Sequence, residues 1–210
     1  ITSGEMIWKY ISFSLNKYDK NLKKCFHIYD ESNPEELKYR YGLKNLKFVK
    51  DIKEANFVLA CTPFKNSMPI DYIPLLKKAI DKNLLMLCAN PDFESIEKNK
   101  NKKVFCMGAI AQLYKDMGGK IIILGKPAIE IYIEATKNLN LKNKSKIVAI
   151  GDSLFHDIIG AKNFGVDSVL ITSGIHCDCF SKDKPIWQTT KNKLLKYNIQ
   201  PTYLSSQLRL

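Results

Sequence analysis

Two carboxylates stand behind a short apolar run in the second half of the chain. Lys146-Ile147-Val148-Ala149-Ile150 leads into Gly151-Asp152, and Asp157 follows five residues after Asp152. Gly151 permits a tight turn, Asp152 then projects beyond the strand end, and Asp157 falls one turn into the next helix. Hard oxygen ligands so placed suit Mg²⁺, which takes one or two carboxylates together with waters and a substrate phosphate. Capping of a helix by Asp152 and Ser153 alone would need neither the preceding glycine nor the second aspartate. A second strand end, Leu124-Gly125-Lys126-Pro127, carries a lysine. Its ammonium is a compact charge able to hold phosphoryl oxygens while neighbouring carboxylates stay ionised. It is not a P-loop, because the spaced glycines and the Lys-Ser/Thr pair are missing. The chemistry implied is phosphoryl transfer.

Such residues need strands to carry them, and the pattern supplies strands alternating with helices. That order predicts an α/β protein with parallel sheets. Strands are predicted at 25–29, 56–61, 84–89, 121–124, 146–150 and 168–172. Helices are predicted near 33–41, 72–83, 107–117, 127–138 and 153–164. Ser3 is expected to cap a first helix whose apolar side is Met6, Ile7, Tyr10, Ile11 and Leu15. Pro34 suits the first helical position after an Asn33 cap. Gly118-Gly119 and Gly165 read as helix stops. The run Glu97 to Lys103 lacks aromatics and makes 94–103 an expected exposed, flexible loop. No internal repeat is evident, and Lys103–Lys120 is the expected domain boundary.

Composition narrows the function classes. The charge of +12 raises the possibility of nucleic-acid binding, but the lysines are scattered along the chain with Asn, Ile, Tyr and Phe rather than clustered. Specific nucleic-acid binding is therefore the weaker expectation. The longest apolar runs are too short to span a bilayer, and no secretory signal pattern is present. Cys61, Cys88 and Cys106 lie among apolar residues, as reduced buried thiols do, which implies a cytoplasmic protein. Cys177-x-Cys179 lacks a second ligand pair. His27, His156, His176, Trp8 and Trp187 read as packing or surface residues.

With these motifs in place, the chain resembles the haloacid dehalogenase (HAD)-like hydrolases, specifically the subclass with a large α/β cap that includes nucleotide, phosphoglycolate and nitrophenyl phosphatases. Leu87-Cys88-Ala89-Asn90-Pro91-Asp92 resembles the cap signature and Gly108-Ala109-Ile110-Ala111 a later cap segment. Gly119, Gly125-Lys126-Pro127 and Gly151-Asp152 follow in the family's order, and Thr172-Ser173-Gly174-Ile175 resembles the end of its last core strand. The resemblance implies a partial Rossmann-like parallel-sheet core with an inserted cap. Residues 1–18 would be a remnant of the N-terminal part of the core, 19–118 the cap and 119–210 the C-terminal half of the core. It further implies that Lys126 neutralises the phosphoryl group, Asp152 ligates Mg²⁺, and Asp157 supports metal waters or orients Lys126. Asn90 and Asp92 would contact a small phosphorylated metabolite, hydrolysed through a phospho-aspartyl intermediate.

One part is missing. Family members carry a nucleophilic Asp-x-Asp on the first strand, and no such pair follows an apolar strand near Ile1. Thr2-Ser3-Gly4 resembles the segment just before the cap. The expectation is thus the C-terminal portion of a phosphatase, inactive alone, with an N-terminal segment or a further copy as partner. The alternative is a non-catalytic remnant or split-gene product.

Overall fold

A computed structural model describes residues 1–15, 23–97, 102–139, 143–177, 192 and 194–208. Cys179 and Trp187 lie outside these. The chain divides into two compact units, Ile1–Gly125 and Lys126–Leu210. Among the described residues no helix is long and apolar enough to cross a membrane.

The first unit is built on five parallel strands: β1 (Lys24–Ile28), β2 (Lys47–Val49), β3 (Phe57–Ala60), β4 (Leu85–Cys88) and β7 (Lys120–Ile123). Their order in the sheet is β2-β1-β3-β4-β7. Four helices accompany them: α1 (Ser3–Lys9), α2 (Pro34–Tyr41), α3 (Ile73–Asp81) and α4 (Met107–Asp116). Alternation along the strands feeds two cores. Val58, Ala60, Met86 and Cys88 pack with Leu76 and Ala79 of α3 and Ile110, Ala111 and Tyr114 of α4. Phe57, Leu59 and Leu87 pack with Ile7 of α1, with Ile11 and, from α2, with Tyr39. Both faces of this sheet are therefore covered.

Local chemistry explains the helix limits. Asn33 Oδ1 accepts from Glu35 N at 3.1 Å, and Pro34 takes the first helical position of α2. Thr2 rather than Ser3 caps α1, its Oγ1 accepting from Glu5 N at 3.1 Å. Gly118 adopts φ +95° after α4.

Three further expectations are corrected here. The strand read as opening the second half is the fifth strand of the first sheet, where Leu85 to Cys88 pair with Lys120 to Ile123. The unit boundary consequently falls after Gly125, not within 103–120. Where a loop is expected at 94–103, β5 (Glu94–Glu97) pairs antiparallel with β6 (Lys102–Phe105), and 98–101 lie outside the described residues. Lysine-rich sequence masks a strand whose pairing comes from its partner backbone rather than from apolar alternation.

The second unit is smaller. Strands β8 (Val148–Gly151), β9 (Asp167–Ile171) and β10 (Tyr203–Ser205) form a parallel sheet in the order β10-β9-β8. Helix α5 (Ile129–Thr136) precedes β8, and α6 (Ile159–Phe164) lies between β8 and β9. One face of the sheet is closed by Leu154, Ile158, Leu170, Leu194 and Ile199. Gly165 ends α6 in the left-handed conformation at φ +78°.

Candidate active site

The β8 end and the start of the second unit bring two predicted residues into direct contact. Lys126 Nζ lies 2.6 Å from Asp157 Oδ1. The other oxygen of Asp157, Oδ2, accepts from Ser153 N at 3.1 Å. Asp157 is thus a buried carboxylate with both oxygens engaged, which is what burial of a charge requires. Lys126 keeps an exposed ammonium with donors to spare.

The turn that places Asp157 is not plain α-helix. Ser153 caps a π-helical turn, Leu154–Ile158, before α6 begins. Ser153 Oγ accepts from His156 N at 3.3 Å and lies 2.9 Å from His156 Nδ1. The histidine is buried within this turn. Gly151 is required, since a Cβ there would collide with the Asp157 carboxylate. From α5, Tyr132 donates its hydroxyl to the Asp157 carbonyl at 3.3 Å and stacks on Phe164 at 5.5 Å. Burial, and then the Asp157 charge, pushes the Tyr132 hydroxyl up to about 12, so it stays a neutral donor.

Asp152 sits immediately beyond β8. Its Oδ2 accepts from Ile175 N at 2.9 Å, and Gly174 leaves no room for a Cβ against the same carboxylate. Oδ1 takes no hydrogen bond from the described residues. One carboxylate oxygen anchored and one left open fits a Mg²⁺ ion that binds through one or two carboxylates and keeps its waters. Asp157, doubly engaged, is suited to orienting Lys126 and not to binding the ion directly. Among the described residues no group of three or more His, Cys, Asp or Glu converges.

Asn90 and Asp92 belong to the first unit, just past β4. Asp92 N donates to Asn90 Oδ1 at 3.3 Å, and Cys88 Sγ donates to the Asn90 carbonyl at 3.3 Å. Gly108 N, at the start of α4, donates to the Asp92 carbonyl at 3.0 Å.

Sequence reasoning missed Ser153, Gly174 and Ile175 as partners of the two aspartates. The signal was present for Ser153, a capping residue directly after Asp152. For Gly174 and Ile175 it was not, because their role depends on how β9 returns beside β8. It also missed the partners of His27. Arg40 Nε donates to His27 Nδ1 at 3.0 Å, which leaves His27 Nε2–H to face Cys61 Sγ at 3.2 Å. The Arg40 guanidinium lies over the Tyr29 and Phe48 rings at 4.4 and 4.7 Å. Burial, with Arg40 adding to it, lowers the His27 pKa to about 3, and burial pushes the Cys61 thiol well up. Neutral imidazole beside neutral thiol, with the Arg40 guanidinium at the ring's Nδ1, is packing and not a nucleophile–base pair.

Residues 123–209 match the HAD-hydrolase-like family. A haloacid dehalogenase-like hydrolase from Brucella suis superimposes with a TM-score of 0.78 at 27% identity, covering 100% of this chain and 72% of that one. A possible sugar phosphatase from Cytophaga hutchinsonii gives 0.73 at 19% identity, with coverage of 100% and 72%. The p-nitrophenyl phosphatase of Archaeoglobus fulgidus gives 0.60 at 21% identity, with coverage of 96% and 70%. A search of curated proteins returned no significant match. The HAD-hydrolase-like match falls on the second unit, and the fold of the whole chain is shared with the Brucella hydrolase. The same fold is found in the p-nitrophenyl phosphatase of Archaeoglobus fulgidus and the 4-nitrophenylphosphatase of Thermotoga maritima.

Proposed function

We propose that this chain supplies the metal and phosphate half of a Mg²⁺-dependent phosphatase that hydrolyses a small phosphomonoester in the cytoplasm. The observation that carries the reading is the Lys126–Asp157–Ser153 linkage beside Asp152, whose Oδ1 takes no hydrogen bond from the described residues. Asp152 holds the ion, which when bound offsets charge on the phosphoryl oxygens. Asp157 fixes the Lys126 ammonium, and Lys126 directs its remaining N–H donors at the same oxygens. Asn90 and Asp92 are the proposed substrate contacts of the first unit. The attacking carboxylate lies outside these residues. It bonds to phosphorus as the P–O bond to the leaving group breaks, the departing oxygen takes a proton, and water then hydrolyses the acyl phosphate.

The test is p-nitrophenyl phosphate hydrolysis by the longer polypeptide that includes the coding sequence upstream of Ile1. Mg²⁺-dependent turnover is expected, and Asp152→Ala should abolish it; undiminished activity in that variant would sink the site assignment. The chain as given should show no turnover. Robust turnover would place the nucleophile within it. The lack of an Asp-x-Asp behind an apolar strand favours a second reading, a non-catalytic remnant. An upstream frame closed by stop codons and lacking Asp-x-Asp-Gly would support that reading.

A further inference from the structure

Lysines far apart in the sequence meet at one end of the first sheet. Lys24 opens β1 and pairs in parallel register with Lys47, which opens β2. Lys82 lies on the turn into β4, and its Nζ donates to the Lys53 carbonyl on the turn into β3. Lys120 opens β7 and pairs with Leu85 at the start of β4. Read across the sheet order β2-β1-β3-β4-β7, every strand start carries one lysine: Lys47, Lys24, Lys53, Lys82 and Lys120. All five are exposed, and none lies within ion-pair distance of a carboxylate among the described residues. With strands about 4.8 Å apart, the row runs for about 19 Å. The same turns expose four carboxylates, Asp51, Glu54, Asp81 and Asp116, but also four further lysines, Lys23, Lys44, Lys50 and Lys115. The row itself is left uncompensated. The segments outside the described residues do not supply the countercharge, since each carries more Lys and Arg than Asp and Glu.

We infer that this row is a docking surface for the phosphate backbone of single-stranded RNA, read without regard to base sequence. Like charges directly opposite one another destabilise a strand pair, yet Lys24 stands opposite Lys47. Protection of edges against strand addition accounts for lysines on β2 and β7, the outer strands, but not for Lys24, Lys53 and Lys82 at the inner ones. A linear polyanion supplies the absent countercharge, and the release of its condensed ions drives the association. Tyr41 selects a nucleic acid among polyanions. It ends α2 on the approach to Lys44 and Lys47 and is 70% exposed, a ring on which one base can stack. The twist of the sheet carries the row with it, so a flexible single strand can follow where a rigid duplex meets only part. The free thiols of Cys25, Cys61 and Cys88 suit a reducing compartment, where the abundant single strand is RNA. The row lies at the opposite ends of the strands from Asn90 and Asp92. The inference is therefore independent of the phosphatase reading.

Fluorescence anisotropy on the whole chain provides the test, with a labelled single-stranded RNA of mixed sequence about 12 nucleotides long as the probe. Binding is expected at about 50 mM salt, and five neutralised phosphates give a slope of log affinity against log salt of about −3.5. The triple variant Lys24→Gln, Lys53→Gln and Lys82→Gln should weaken binding at least about tenfold and make the slope shallower by about 2. A control of equal charge, Lys65→Gln with Lys162→Gln and Lys196→Gln, alters exposed lysines elsewhere and should bind within about twofold of the parent. Tyr41→Ala should weaken binding about fivefold at unchanged slope, the loss of one stacked base. Acetylation footprinting of the parent needs no variant: RNA should slow the modification of the five row lysines and not that of Lys65, Lys162 and Lys196. Equal losses in the two triple variants would reduce the effect to net charge and overturn the proposal. No binding at about 50 mM salt, tighter binding of an RNA duplex, or retention on phosphatidylserine vesicles without binding to RNA would each overturn it as well.

Discussion

The two units make opposite use of a parallel sheet. In the first, helices close both faces, and the strand residues at the centre, Phe57, Val58, Leu59, Met86 and Leu87, are fully buried. In the second, Leu170 is fully buried while Val148 and Ile150 on the neighbouring strand are exposed, and this unit carries Lys126, Asp152 and Asp157. The candidate site residues are held around the β8 turn by Ser153 from within it and by Lys126, Tyr132 and Ile175 from elsewhere in the unit.

Three measurements would break or sharpen this contrast. The largest effect is expected from Leu87→Ala, which should destabilise the first unit by about 2–5 kcal/mol through lost burial and a cavity. Ile150→Ala at an exposed position of β8 should change stability by only about 0.5 kcal/mol. Urea unfolding of the two variants checks this, and equal losses would show that the exposed position is structurally loaded after all.

A smaller effect concerns acid. His27, buried against Cys61 and held by Arg40, with Tyr29 and Tyr39 packed around its ring, titrates near 3 when folded and near 6.5 when unfolded. The unfolded chain takes up a proton that the folded chain refuses. The associated stability is present above the unfolded value and is lost as pH falls from there toward the folded value. From about pH 7 to about pH 5 the first unit should lose about 2 kcal/mol from this residue. The variant His27→Gln should remove that slope, which urea titrations at both pH values would reveal; an unchanged slope would assign the acid sensitivity elsewhere. The smallest effect is expected at the α2 cap, where Asn33→Ala should cost about 1 kcal/mol. Circular dichroism melting would detect it, with the exposed Lys38–Glu35 pair in the same helix contributing less.

The contrast also marks what could be read from residues alone. Apolar runs such as Leu84 to Ala89 announce buried strands, and Asn33-Pro34 and Gly165 announce helix limits, because each acts within a few residues. The β5–β6 pair, the short β2 and β10 were hidden, since their pairing is set by a partner strand and not by their own pattern. The same division holds at the site. Asp152, Asp157 and Lys126 stand out by type and spacing, and Ser153 by position. The support that Asp152 receives from Ile175 N depends on the return of the chain after β9, and local sequence carries no trace of it.

Gly108 has a consequence for how this protein can change. A Cβ at that position would collide with the Pro91 carbonyl, and the Gly108 amide holds the Asp92 carbonyl from behind. The path of the chain at 90–92 is clamped between β4 and the first turn of α4. Any drift in the chemistry presented at 90 and 92 has to proceed by exchanging side chains on a fixed track, because inserting, deleting or rerouting residues there would first dislodge the helix.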